Sequence, residues 1–281
     1  MADFPRTQIE NVSVSRLIVG TNWFMGFSHT SKSKDVFIKE HQTRQRIAEI
    51  LKVFFEAGCD AVMGVRPDAT HLTEAIRDAE QATGRKAVMI YTPTMPTDPS
   101  APGAVDEVAK ILDRAVAKDF GATFCMPHMA TTDAMVNIRT RKIEGMDVWC
   151  KMIRDRGMLP GLSTHMPESP VYADESGLDV ASYIQIYNAA GFLMHIEVDW
   201  VQRMIWKAKK PVMTIKPLAA GRLMPLVGLA FSWSTIRDID MVALGAMTAD
   251  EAKEGIDISL SVLNRTPPAV PLQYTRSKAT L

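Results

Sequence analysis

The stretch Cys59-Asp60-Ala61-Val62-Met63-Gly64-Val65 reads as a β-strand with consecutive apolar residues at its centre. Such a run suits a strand covered on both faces. Leu72 to Ala82 follows as a helix closed by Gly84, and Lys86 to Thr92 is the next strand. That order, strand, helix, strand, is a parallel crossover unit with a right-handed connection.

The same unit extends in both directions. Upstream, Leu17-Ile18-Val19-Gly20 is a strand, and Ile47, Ile50, Leu51, Phe54 and Phe55 share one helical face before Gly58. Downstream, Val105, Val108, Ile111, Leu112, Ala115 and Val116 form a third helical stripe. Strands are then expected at 122–126, 158–163, 182–187, 211–215 and 240–244. Helices are expected at 134–156, 197–209, 225–236 and 248–263, with a poorly defined helix after the fifth strand. Thr248 and Glu251 form a capping box for the last of them. Eight such units in one chain predict a single-domain α/β protein, the (β/α)8 TIM barrel, over residues 1–281. The rival, a doubly wound open sheet, calls for a glycine-rich first turn, and no G-x-G-x-x-G follows the first strand. Residues 22–42 read as a long polar loop and 264–281 as an extended tail.

Composition narrows the function. The 281 residues carry 32 basic and 32 acidic side chains, so no basic surplus points to nucleic acid. Three widely spaced cysteines make neither a disulfide framework nor a zinc ribbon and suit a reducing cytosol. No run approaches the roughly 20 apolar residues of a membrane span, and the N-terminus does not read as a signal peptide. The expectation is a soluble cytoplasmic protein with a small-molecule substrate and no membrane or nucleic-acid partner; a homo-oligomer is compatible with it. The 18 methionines read as core filler.

In this fold the chemistry lies in the loops after the strands. All six histidines are expected there: His29 and His41 by the first loop, His71 after the second strand, His128 and His165 ending the fourth and fifth, His195 in the sixth loop. His128 and His165 directly follow neighbouring strands and can converge on one ion or substrate atom. They are the first candidates for catalysis and, with His29, for a divalent metal. Asp68, Glu168, His195 and Glu197 are further candidate ligands, and Asp68 is also a candidate acid or base. Lys216 ends the seventh strand, where a desolvated lysine binds an anion or forms a Schiff base. Gly221, Arg222 and Gly245, after strands seven and eight, suit close approach of a phosphate-bearing ligand. Asn188 offers an amide for a carboxamide or hydroxyl. Each residue has an ordinary alternative as a packing or surface group.

Several segments resemble the aldo-keto reductase superfamily. They are Gly161-Leu162-Ser163-Thr164-His165, Gln185-Ile186-Tyr187-Asn188, Ile215-Lys216-Pro217-Leu218-Ala219-Ala220-Gly221-Arg222-Leu223, and Val242-Ala243-Leu244-Gly245 with the helix opening Thr248-Ala249-Asp250-Glu251-Ala252. The resemblance implies an eight-stranded barrel and a nicotinamide cofactor held after strands seven and eight, with Asn188, Gly221, Arg222, Gly245 and Thr248 as candidate contacts. Of that family's catalytic aspartate, tyrosine, lysine and histidine, only the histidine is matched, by His128. Met63, Asp68 and Pro93 stand at the other places, so carbonyl reduction lacks its usual proton donor. Asp250 and Glu251 would repel a 2′-phosphate, which favours NAD over NADP. The leading expectation is a barrel enzyme with changed chemistry. It would act on a small oxygen-rich substrate, carbonyl or sugar-like, by histidine- or metal-assisted acid/base catalysis of lyase, isomerase or hydrolase type. A divergent NAD(P)-dependent oxidoreductase and a non-catalytic binding protein are the alternatives, and an empty, apolar or collapsed mouth would favour the last.

Overall fold

The structure, a computed structural model, describes residues 3–268. Eight parallel strands close into a barrel: Leu17–Gly20, Ala61–Val65, Val88–Tyr91, Phe124–Cys125, Leu159–Thr164, Ser182–Ile186, Val212–Ile215 and Met241–Leu244. They follow one another around the ring in chain order, and the eighth closes on the first with Val242 opposite Leu17 and Leu244 opposite Val19. The expected (β/α)8 barrel is therefore the fold.

Side chains alternate between two cores, as the pleat requires. Ile18, Ala61, Met63, Ile90, Phe124, Met126, Ile184, Met213 and Met241 fill the barrel interior. The alternate residues, such as Val19, Val62, Met89, Tyr183 and Val212, face outward into the packing with the helices. The four interior methionines are the gap-filling role expected of that residue.

The base of the barrel carries an element that the strand count did not include. Arg6–Ile9 and Val12–Ser15 form an antiparallel hairpin. Its Ile9 and Val14 join the barrel interior and plug that end. Arg6 anchors it, donating to both carboxylate oxygens of Asp60 and to the Gly58 carbonyl.

Three expectations need correction. Residues 22–42 are not a polar loop but a short helix, Asn22–Met25, and a second helix, Lys32–His41. Ser31 caps the latter through the Lys34 amide. The single helix over 134–156 is instead a 3-10 turn Asp133–Met135, a small hairpin (Val136–Asn137 with Lys142–Ile143) and a helix Met146–Arg154. The Asn137 side chain accepts from the Arg139 and Thr140 amides, a local bond that competes with helix. Asn264 ends the last helix rather than starting a tail, and the expected tail lies for the most part outside the described residues.

Candidate active site

The mouth of the barrel, at the C-terminal ends of the strands, is an open cavity of about 1610 Å³. It has not collapsed. Its floor is apolar, made by Met63, Ile184, Ile215 and Ala243. Above the floor stand His29, His128, His165 and Lys216.

Lys216 is the centre of this group. It follows the seventh strand and holds φ +61°, and Ala219 and Ala220 after it are also left-handed at +49° and +56°. A non-glycine residue in that region costs on the order of 1 kcal/mol or more, and such strain gathers at functional sites. The conformation turns the chain across the mouth. Burial lowers the Lys216 ammonium to a pKa of about 8, and desolvation is its only cause. Among the described residues the ammonium has no hydrogen-bond or ion-pair partner. It is a charge held in the cavity without a counter-charge.

The three imidazoles feel that charge. Burial first, and Lys216 second, lower the pKa of His29, His128 and His165. His165 falls to about 4, so it is neutral at physiological pH. Its ring meets His195 edge-on, with centroids 6.2 Å apart. His128 caps the short helix Met129–Thr132, its Nδ1 accepting from the Ala130 amide at 3.2 Å. That bond assigns the proton of neutral His128 to Nε2, which is then a donor. His29 lies 3.2 Å, through Nε2, from the Asn22 amide nitrogen.

Asp133 is the site residue that sequence reading missed. It begins the 3-10 turn after the fourth strand. One carboxylate oxygen accepts from the Thr164 hydroxyl, and the other from the His165 backbone amide at 3.0 Å. Burial raises its pKa, and its charge acts on His128. It locks the end of the fifth strand to the fourth loop and so sets His165 beside His128. A Thr-His pair at a strand end hints at such an anchor, but no spacing rule points to the partner.

Several candidate residues do other work. Asp68 sits at the exposed rim in a two-fold bond to Arg66 (3.0 and 2.7 Å), which lowers its pKa. It is not among the chief charges acting on the imidazoles. Asn188 is fully buried; its amide donates to the Phe192 carbonyl and accepts from the Phe192 amide, closing the sixth loop. Arg222 lies over the Phe192 ring at 4.0 Å and donates to the Ala219 carbonyl, bracing the strained turn. Gly245 makes room for Trp23: a Cβ there would stand 2.5 Å from the indole Cδ1. Gly221 and Thr248 do line the cavity. Thr248 caps the last helix, but Glu251 reaches back to the Met247 amide rather than that of Thr248. Tyr91, at the end of the third strand, lines the cavity and packs edge-on against Phe120 at 5.6 Å, and burial raises it to about 12. His71 lies in the first turn of the helix Thr70–Thr83 and is exposed, and His41 ends the helix Lys32–His41.

The donor set does not suit a cation. Among the described residues no three histidine, cysteine, aspartate or glutamate side chains come together as metal ligands. The Lys216 ammonium beside the imidazoles raises the cost of a second positive charge. The group fits an anion better than a metal.

Comparison with solved structures places the barrel. A Pseudomonas aeruginosa protein assigned to the aldo-keto reductases superposes with a TM-score of 0.65 and 13% identity, covering 93% of this chain and 97% of that one. The aldose reductase of Giardia lamblia gives 0.51 and 11%, covering 97% and 99%. The thiamine phosphate pyrophosphorylase of Pyrococcus furiosus gives 0.50 and 10%, covering 89% and 95%. At these identities the likeness is one of fold. No family model matches the chain, and no curated protein does. Within the fold, Met63 takes a place on the cavity floor and Pro93 on its wall.

Proposed function

We propose that this barrel is an enzyme that moves a proton next to the carbonyl of a small, oxygen-rich, anionic substrate. The observation that supports this reading is a desolvated Lys216 ammonium, without a partner among the described residues, that lines a cavity with an apolar floor and whose charge acts on three imidazoles. The carbonyl oxygen binds at Lys216, and negative charge that develops there during enolisation meets a positive group in a water-poor cavity. His165, neutral and without a hydrogen bond at its ring among the described residues, accepts the proton. An anionic substrate offsets the Lys216 charge that depresses His165 and so raises its basicity toward working pH. His128, with its Nε2 proton, donates to substrate oxygen. Isomerase and lyase chemistry both use these steps.

The test is hydrogen exchange. The protein is incubated in D2O with small 2-oxo acids, hydroxyaldehydes and hydroxyketones, and loss of the proton next to the carbonyl is followed by NMR. Exchange that needs Lys216 and His165 is expected. No exchange with any member of the panel overturns the reading. Metal analysis of untagged protein, with melting in chelator, tests the alternative in which His128, His165 and His29 hold a divalent ion.

A second reading rests on the size of the cavity. At about 1610 Å³ it exceeds the roughly 300–1,000 Å³ of small-ligand pockets. It runs past Gly221 and Gly245 to Thr248 and Glu251 at the last helix. In this reading a nicotinamide dinucleotide lies along that arm, and Asp250 and Glu251 favour NAD over NADP. Titration of NADH and NADPH by fluorescence decides it; no binding at millimolar cofactor removes it.

A further inference from the structure

We propose that Lys216 is a covalent catalyst that joins the carbonyl carbon of a small aldehyde or ketone substrate as an imine. It rests on the reading of the mouth as a site for carbonyl compounds and changes the part Lys216 plays there, from a charge beside the carbonyl oxygen to a bond with the carbonyl carbon. Two roles are open to a lysine there. As a fixed charge it needs to stay protonated at working pH until the ligand supplies its counter-charge, which desolvation opposes. As a nucleophile it needs to lose a proton at working pH, to reach a cavity, and to have proton carriers at hand.

The surroundings match the second role. No carboxylate pairs with the ammonium among the described residues, whereas the exposed lysine Lys151 has its aspartate, Asp155, at 2.8 Å. Asp133, the partly buried carboxylate of this region, is occupied by Thr164 and the His165 amide. The lysine lines the open cavity rather than the packed wall. Its left-handed backbone fixes where the side chain starts. At a pKa of about 8, roughly a tenth of Lys216 is free amine at pH 7, on the order of 200-fold more than in an ordinary lysine. Neighbouring neutral imidazoles can take its proton and return it.

The step balances without a redox partner. Lys216 ammonium gives one proton to an imidazole. The amine lone pair bonds to the carbonyl carbon as the C=O π pair moves to oxygen, which is protonated. The resulting carbinolamine loses water as the nitrogen pair forms C=N. Overall, the ammonium and the carbonyl compound give an iminium and one water. The iminium then receives the electron pair of a neighbouring C–H bond whose proton His165 takes, or of a neighbouring C–C bond as His165 takes the proton of the adjoining hydroxyl and that carbon leaves as a carbonyl.

The experiment is reductive trapping. The full-length protein is treated at pH 7 with sodium cyanoborohydride and, separately, pyruvate, glycolaldehyde and dihydroxyacetone, and adducts are mapped by peptide mass spectrometry. One dominant adduct on the Lys216 peptide is expected with at least one carbonyl compound, absent in Lys216→Met and well above the level on surface lysines. Circular dichroism checks that the variant folds. Lys216→Arg keeps the charge but cannot form the imine, so it is expected to lose both the adduct and the hydrogen exchange. Wild-type exchange that survives in Lys216→Arg, with no Lys216 adduct in wild type, overturns the imine and keeps the charge-based reading. Neither adduct nor exchange in wild type overturns both.

Discussion

The two ends of this barrel each hold a buried charge, and they treat it in opposite ways. At the base, Asp240 is completely buried just before the eighth strand. Its carboxylate accepts from the Val212 amide at 2.8 Å, the Arg237 amide at 3.0 Å and the Arg237 guanidinium at 2.7 Å. Arg16, laid over Trp233, closes the same network by donating to the backbone carbonyls of Asp240 and Arg237. At the mouth, Lys216 is desolvated, and among the described residues it has no such partners. A structural charge is surrounded by groups that satisfy it. A charge kept for a ligand is left for the ligand to satisfy, at a cost in stability.

The sharpest way to break this comparison is to neutralise the base. Asp240→Asn leaves the partly buried Arg237 guanidinium without its counter-charge and puts an NH2 donor in place of one of the two oxygens that accept from Arg237 and the Val212 amide. Removing one partner of a buried pair costs about 3–5 kcal/mol, read as a fall in the urea midpoint. A cost below about 1 kcal/mol would mean that the base network contributes little.

The mouth is expected to respond with the opposite sign. Lys216 titrates at about 8 when folded and near 10.4 when unfolded. Between those values the unfolded chain binds a proton that the folded chain does not, so stability rises with pH from about 8 to about 10.4. Below 8 both states are protonated and the burial cost is carried in full. Lys216→Met is therefore expected to stabilise the protein at pH 7 by about 2 kcal/mol and to lose the rise in stability above pH 8. Parallel urea curves for both proteins at pH 7 and pH 10 would contradict the unpaired lysine.

His165 gives a second window on the acid side. Its folded pKa is about 4, against roughly 6.5 unfolded. As pH falls through that range the unfolded chain gains a proton first, so stability falls between about 6.5 and about 4 and is flat below. His165→Gln is expected to remove about 1 kcal/mol of that acid loss, the shift being discounted for solvent screening of a partly exposed ring. The check is thermal melting of both proteins at pH 7 and pH 4.5.

The two ends also differed in how far they could be read from sequence. The strands were legible because a consecutive apolar run such as Ala61-Val62-Met63 has one explanation in a parallel sheet. His128, His165 and Lys216 were legible as mouth residues because a strand end places them there. What sequence does not carry is the left-handed turn at Lys216, Ala219 and Ala220, since alanine and lysine do not advertise positive φ as glycine does. Nor does it carry the bond from Asp133 to Thr164 and His165, which joins residues about thirty positions apart. The hairpin over 136–143 was read as helix because the Asn137 side-chain bonds that end the helix are a feature of tertiary placement. Asp68 and Asn188, polar residues beside the same strands, were drawn into the site by position alone, yet each is occupied by a neighbour.

The glycines of the mouth set the finest test, because Gly221 and Gly245 looked alike as places for close ligand approach. Their surroundings separate them. Gly245 lies against Trp23, and an added Cβ would overlap the indole at 2.5 Å, whereas nothing stands within 4 Å of a Cβ at Gly221. Gly221→Ala meets only the strain of φ +84°, about 1 kcal/mol, with tryptophan fluorescence unchanged. Gly245→Ala must move Trp23, at about 1–2 kcal/mol for an overpacked contact, and shift the tryptophan emission as the ring leaves its seat. Because Trp23 lines the cavity, this variant also alters the arm leading to Thr248. If Gly245→Ala leaves both emission and stability unchanged, Trp23 does not need the glycine, and the open space there is again free for a ligand.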